Sequence, residues 1–111
     1  MSINIQNTFT AKEIRDTNSY NGDIIFNDDF VVKTIIIENI LNQIVTLQCQ
    51  GSAELDFSNS FNIGDSFDVA ANTTIYKNYD NYFPYYRVTA ICSSSPTSGD
   101  LTVKTYGLSH M

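Results

Sequence analysis

Apolar and polar residues alternate along most of this chain with the two-residue period of a β-strand. Ile3, Ile5 and Phe9 interleave with Asn4, Gln6, Thr8 and Thr10, which predicts a first strand with one apolar face. Residues 11–19 are the only stretch that admits a helical turn. Asn21-Gly22 predicts a turn, Asp23 to Phe26 a short second strand, and Asn27-Asp28-Asp29 its end. Phe30 to Asn39 is the strongest strand. Its Val31, Val32, Ile35, Ile36 and Ile37 are β-branched and nearly continuous, so both faces are expected to be buried. Ile40-Leu41-Asn42-Gln43 makes a tight connection into Ile44 to Gln50, where Val45, Leu47 and Cys49 face one way and Thr46, Gln48 and Gln50 the other. These two strands are expected to form an antiparallel hairpin at the centre of the fold.

Gly51 to Phe57 continues or kinks that strand, and Ser58-Asn59-Ser60 turns. Phe61 and Ile63 lead to a turn at Gly64-Asp65, after which Phe67 and Val69 alternate with polar neighbours. Ala71-Asn72 turns again, Thr73 to Tyr79 is a strand with Ile75 inward, and Asp80-Asn81 turns once more. Tyr82 to Cys92 is a long strand. Residues 93–100, rich in Ser with Pro96 and Gly99, turn into a last strand from Leu101 to Tyr106, so this pair reads as a hairpin at a sheet edge. Turns at intervals of about eight to twelve residues, with no substantial helix, predict an all-β fold. The expected architecture is an antiparallel β-sandwich, immunoglobulin-like or jelly-roll-like, of about eight strands, with residues 1–111 forming a single domain.

Composition narrows what such a domain can do. Of 111 residues 42% are hydrophobic, which suits one buried core, whereas only 16% are charged and Asn, Ser and Thr fill the polar positions. Neutral polar groups cost less to desolvate than charges, so this surface suits contact with other proteins. The net charge is −6, and the basic residues Lys12, Arg15, Lys33, Lys77, Arg87 and Lys104 are scattered. Phosphate binding needs clustered cations, so nucleic acid is not expected as a direct partner. No apolar run is long enough to span a bilayer as a helix, and no membrane partner is expected. Residues 1–10 lack the basic start and apolar run of a secretory signal, which points to synthesis in the cytoplasm without a leader.

Candidate chemistry is sparse. A Ser or Cys nucleophile needs a base, and the single histidine, His110, lies in a terminal tail, so no catalytic triad and no enzyme activity are expected. Asp56, Asp65, Asp68 and Asp80 lie in or beside turns, where Asp caps its own backbone more readily than it forms a glycosidase pair. Asp56-Phe57-Ser58-Asn59-Ser60 places oxygen donors like the start of an EF-hand loop, but its sixth and twelfth positions are Phe61 and Phe67 instead of Gly and Glu. An irregular calcium site using Asp28, Asp29 or Asp80 is the weaker alternative to solvated acidic turns, and no metal or cofactor is expected. Cys49 and Cys92 admit two buried thiols, an inter-sheet disulfide or half of a metal site; a zinc site needs close paired ligands that are absent from the sequence, and free thiols are preferred over the bridge. Asn72-Thr73-Thr74 fits a glycosylation pattern, but with no secretory signal chance is the better account.

The aromatic cluster carries more weight. Tyr76, Tyr79, Tyr82, Phe83, Tyr85 and Tyr86 lie close together, and strand geometry puts Tyr82 and Tyr86 on one face and Phe83 and Tyr85 on the other. Half of these rings should be core. The outward half suits a subunit interface, where Tyr is favoured, more than sugar stacking, which typically uses the Trp this chain lacks. Tyr79, Tyr82, Phe83 and Tyr85 are therefore the candidate interface, with Pro84 holding the strand's start at an edge or bulge. Arg87 is expected to pair with an acidic turn residue, Asp80 or Asp100, or to serve in the interface. Gly99, Cys49 and Cys92 are assigned structural roles.

Several of these segments carry a resemblance. They are Asn39-Ile40-Leu41-Asn42-Gln43, Val45-Thr46-Leu47-Gln48-Cys49-Gln50-Gly51-Ser52, Ala71-Asn72-Thr73-Thr74, Tyr82 to Val88 and Ser94 to Val103. Across roughly residues 30–106 the chain resembles small β-sandwich structural proteins of tailed phages, prophages and archaeal viruses. It departs from them after Gly51-Ser52, where Ala53-Glu54-Leu55-Asp56 stands in place of a Trp-containing segment. The resemblance implies a virion component, such as a capsid, decoration or neck/tail protein, that assembles with itself as a homo-oligomer and with other virion proteins. The alternative is a non-catalytic module that recognises a glycan or a host surface.

Overall fold

The computed structural model describes residues 3–26, 30–80 and 83–109. Nine strands are present among them: β1 (Ile3–Lys12), β2 (Tyr20–Asn21), β3 (Ile25–Phe26), β4 (Phe30–Asn39), β5 (Val45–Ser52), β6 (Ser60–Val69), β7 (Thr73–Tyr79), β8 (Tyr85–Cys92) and β9 (Leu101–Ser109). They form two antiparallel sheets. The first runs β1-β9-β4-β7, and the second runs β2-β8-β5-β6 with β3 sharing the β2 side of β8. The protein is an all-β sandwich, as its periodicity predicts. Residues 11–19 contain no helical turn: β1 continues to Lys12, and Ile14 is then drawn fully into the core.

The inward residues of both sheets meet in one core. Ile35, Ile37, Leu101 and Val103 come from the first sheet, and Val45, Leu47, Ile63, Val69, Val88 and Ala90 from the second. Each fully buried aliphatic side chain of this kind contributes roughly 1.5–3 kcal/mol. Strand β4 buries one face, not two. Lys33, Ile35, Ile37 and Asn39 point inward, whereas Val32 is exposed and Thr34, Ile36 and Glu38 are half-buried. In β1, Ile5 is exposed and Phe9 is buried, although a regular strand would put them on one face. The β-bulge between Asn7 and Phe9 reverses the alternation.

Both expected hairpins are arches instead. Strands β4 and β5 lie in different sheets, as do β8 and β9, so residues 40–44 and 93–100 each cross the sandwich. Neither β8 nor β9 is an edge, since each has neighbours on both sides. Among the described residues, β5 and β6 are the sequential strands that do pair, joined by the loop at 53–59. Gly64-Asp65 does not end β6. Gly64 sits at φ 68° where the pairing shifts register, so a bulge carries the strand through. Asn21-Gly22 likewise continues along β8, with Asn21 opposite Thr89 and the Gly22 N–H donating to the Val88 carbonyl at 2.8 Å.

The two arches hold each other. Ile40 N–H donates to the Asp100 carbonyl at 2.9 Å and Asn42 N–H to the Ser98 carbonyl at 3.3 Å. The Asn42 side chain donates to Thr97 Oγ1 at 2.7 Å and accepts from the Thr97 N–H at 2.9 Å. Asn39 anchors the base of the first arch. It is 1% exposed, and its amide donates to the carbonyls of Gln43, Val69 and Ala70 at 3.1 Å while accepting from the Leu41 N–H. Four bonds on one buried side chain satisfy three carbonyls and one N–H that a chain leaving a sheet would otherwise strand.

Candidate interaction surface

The register of the first sheet fixes which side chains share its outer face. Ile5, Tyr106, Thr34 and Asn78 form one row across β1, β9, β4 and β7. Asn7, Lys104, Ile36 and Tyr76 form the next. Tyr76 is 66% exposed, Ile5 56% and Val32 37%, while Ile36 and Tyr106 are half-buried. Between these apolar groups the Thr34 hydroxyl donates to Asn78 Oδ1 at 2.7 Å. Lys104 and Glu38 form an ion pair at 3.8 Å toward the end of the face. A shallow apolar depression lies between Ile36, Ile75 and Tyr76, bounded by Thr34, Thr74 and Asn78, with a volume of about 440 Å³.

The outer face of the second sheet differs in chemistry. The Arg87 Nε–H donates to Gln50 Oε1 at 2.8 Å, and the Gln50 amide donates to Asn62 Oδ1 at 3.1 Å. Gln48 donates to the carbonyl of Cys49 at 2.8 Å, and Thr46 donates to Asp68 at 2.5 Å. The β5 side of this face is a polar ladder whose members satisfy one another, while Ile91, Tyr85 and Phe26 add apolar groups on its β8 side.

The aromatic segment does not form one surface. Tyr79 ends β7 on the inward side, opposite the buried Lys33, and packs against the core; burial pushes its hydroxyl up to about 12. Phe83 precedes β8, and Pro84 bends the chain into it. The Phe83 ring is stacked on Phe61 at 6.0 Å and edge-on to the buried Tyr86 at 6.1 Å, and it lies over Gly51, where a Cβ would come 2.5 Å from it. Tyr85 lies instead on the outer face of the second sheet, edge-on to Phe26 at 5.7 Å. Tyr82, Asp28, Asp29 and His110 lie outside the described residues.

Arg87 pairs with neither Asp80 nor Asp100. Besides bonding Gln50, its guanidinium lies 4.5 Å from the Phe57 ring centroid, a cation–π contact. The strand parity that turns Arg87 outward puts it among the Gln side chains of β5. Cys49 and Cys92 are both free and buried. They face inward from neighbouring strands of one sheet, with Cys49 opposite Val88 and Cys92 opposite Val45. That separates them by roughly 13 Å along the strands, beyond the ~7 Å a disulfide spans. Burial pushes the Cys49 thiol up to about 12 and raises that of Cys92. Glu54 accepts from Ser58 and Asn59, which lowers its carboxyl, and Asp56 is lowered by the Ser58 N–H. These carboxylates serve the 53–59 loop.

Lys33 is a buried cation that alternation conceals inside an apolar strand. It is 2% exposed, its Nζ lies 4.5 Å from the Tyr86 ring centroid, and burial lowers its ammonium. With Asn39, it marks the inward parity of β4 as carrying more than hydrocarbon. The signal for both was a polar residue in step with Ile35 and Ile37.

No protein-family model matches the chain, and no curated protein matches it in sequence. Among solved structures it is similar to PBSX exported protein XepA, with a TM-score of 0.74 and 12% identity over 96% of this chain. It is also similar to SPBc2 prophage-derived protein YomS, with a TM-score of 0.62 and 14% identity over 97% of this chain. The chain spans 37% of the length of XepA and 94% of that of YomS. At such identities the likeness is one of fold, and both neighbours are phage-derived.

Proposed function

We propose that this chain is a phage-encoded particle protein, a capsid, decoration or neck/tail component, that acts by protein–protein assembly. The observation that carries this reading is the sandwich fold it has in common with two phage-derived proteins, one of them along nearly its whole length. The outer face of the β1-β9-β4-β7 sheet supports it. An antiparallel sheet that ends in water is normally polar on that side, and this one presents Ile5, Val32, Ile36, Tyr76 and Tyr106. Such a role needs a rigid scaffold and a contact surface, and no reacting group. The test is deletion of the gene from a phage or lysogen that carries it, followed by electron microscopy and titre. Incomplete particles, or a loss of titre restored by the gene in trans, support the reading. Normal particles at normal titre overturn it.

A further inference from the structure

We propose that the outer face of the β1-β9-β4-β7 sheet is covered by the same face of a second copy of this chain. The inference rests on the assembly reading and names the partner of that surface. The apolar run of β4 is the pattern of a strand covered on both sides, yet within one chain the sandwich covers only its Lys33–Asn39 side. Two further observations favour a second copy. The first is charge. The chain carries −6 overall, but the face holds little of it: the two central rows carry only Lys104, which Glu38 of the next row offsets, and Asp80 stands beside Val32 at one corner, away from Ile36 and Tyr76. Two acidic molecules can meet there with their like charges held away from the contact, whereas a partner chosen by charge would seek the acidic surface elsewhere. The second is area. Four strands of seven to ten residues make a face of roughly 19 Å by 30 Å. With side-chain relief, that approaches the ~800 Å² per partner of a standard interface. A face that packs on itself is isologous and closes as a two-fold dimer, and sheets stacked this way lie about 10 Å apart.

Tyr76 and Ile36, adjacent across β7 and β4, form the apolar centre of the contact on the β7 side. Sedimentation equilibrium of the full chain from ~1 to ~100 μM is expected to show a reversible monomer–dimer equilibrium. Tyr76→Ser and Ile36→Thr, made singly, are expected to weaken it by about 30-fold each, as truncation of interface-centre side chains does. At concentrations low enough for the parent to be monomeric, their melting temperatures should stay near its own, because both side chains point away from the core. Phe61→Ser removes an equally exposed ring away from this face and should leave the dimer intact. A monomer throughout, or an oligomer that Phe61→Ser dissolves and Tyr76→Ser does not, overturns the proposal. The assembly reading is judged separately, by the deletion phenotype, so the two can fail independently.

Discussion

Gly99→Ala tests how the two arches hold the sandwich closed. Gly99 has φ +87°, and a Cβ built there would lie 1.9 Å from the Ile40 carbonyl oxygen and 2.9 Å from Leu41 Cα. The left-handed backbone alone costs an L-residue about 1–2 kcal/mol. The clash is with backbone, so it cannot be relieved by a side-chain rotation. The first arch must retreat, which stretches the Ile40–Asp100 and Asn42–Ser98 bonds, each contributing ~1 kcal/mol. The sum is about 3–4 kcal/mol, in the range of severe single substitutions, and corresponds to a drop of roughly 12–16 °C in Tm for a domain of this size. Gly64→Ala is the control. Gly64 also has positive φ, +68°, but no atom lies within 4 Å of its added Cβ, so it should lose only the strain of about 1–2 kcal/mol. Urea titration and calorimetry of both variants measure the difference. Equal losses would show that the close approach of Gly99 to Ile40 contributes nothing, and would refute the reasoning.

Three further outcomes follow from the same geometry. Cys49 and Cys92 should resist a thiol reagent in the native protein and both react once it is unfolded in urea, and added reductant should leave Tm unchanged; rapid native labelling would contradict their burial. Cys49 keeps its proton to about 12 when folded against 9.0 in its ordinary state, so its contribution is complete below pH 9 and is lost as pH rises from 9 toward 12. Tyr79, raised from 10.0 to about 12, acts in the same direction, and Lys33, lowered from 10.5, opposes both below 10.5. Urea midpoints taken from pH 8 to pH 11 should therefore fall, and Cys49→Ala should flatten the fall; a slope unchanged by that substitution would contradict the assignment. Arg87→Ala should cost about 1–2 kcal/mol by removing the Phe57 contact and the Gln50 bond, and Arg87→Lys should recover little of it, since a point charge cannot both stack and direct a planar donor. Equal stability of Arg87→Lys and the parent would speak against the stacked geometry.

Much of the fold is legible in the residue pattern, because alternation reports which way a side chain points. Phe30–Asn39 and Thr73–Tyr79 are strands over the expected spans, and Val45, Leu47 and Cys49 face the core as read. What alternation does not report is the destination of the chain after each strand. A five-residue loop after Asn39 serves a hairpin and an inter-sheet arch equally well, and only the four bonds of the Asn39 amide decide between them. Gly64-Asp65 carries the same ambiguity, since a positive φ suits a turn and a bulge alike. The candidate surface was hidden for a related reason. Tyr79 and Tyr85 are neighbours in sequence but fall on opposite sheets, whereas Ile5, Tyr106, Ile36 and Tyr76 are far apart in the chain and meet on one face through register alone.

The central claim is that this sandwich is built into a phage particle. Quantitative mass spectrometry of density-gradient-purified particles, from a strain expressing the chain at its native level, tests it most directly. The account predicts peptides of this chain in the intact-particle fraction, at a constant ratio to the major capsid protein across the peak and retained after a high-salt wash. Recovery of the chain only in the soluble fraction, with none travelling with particles, would contradict it.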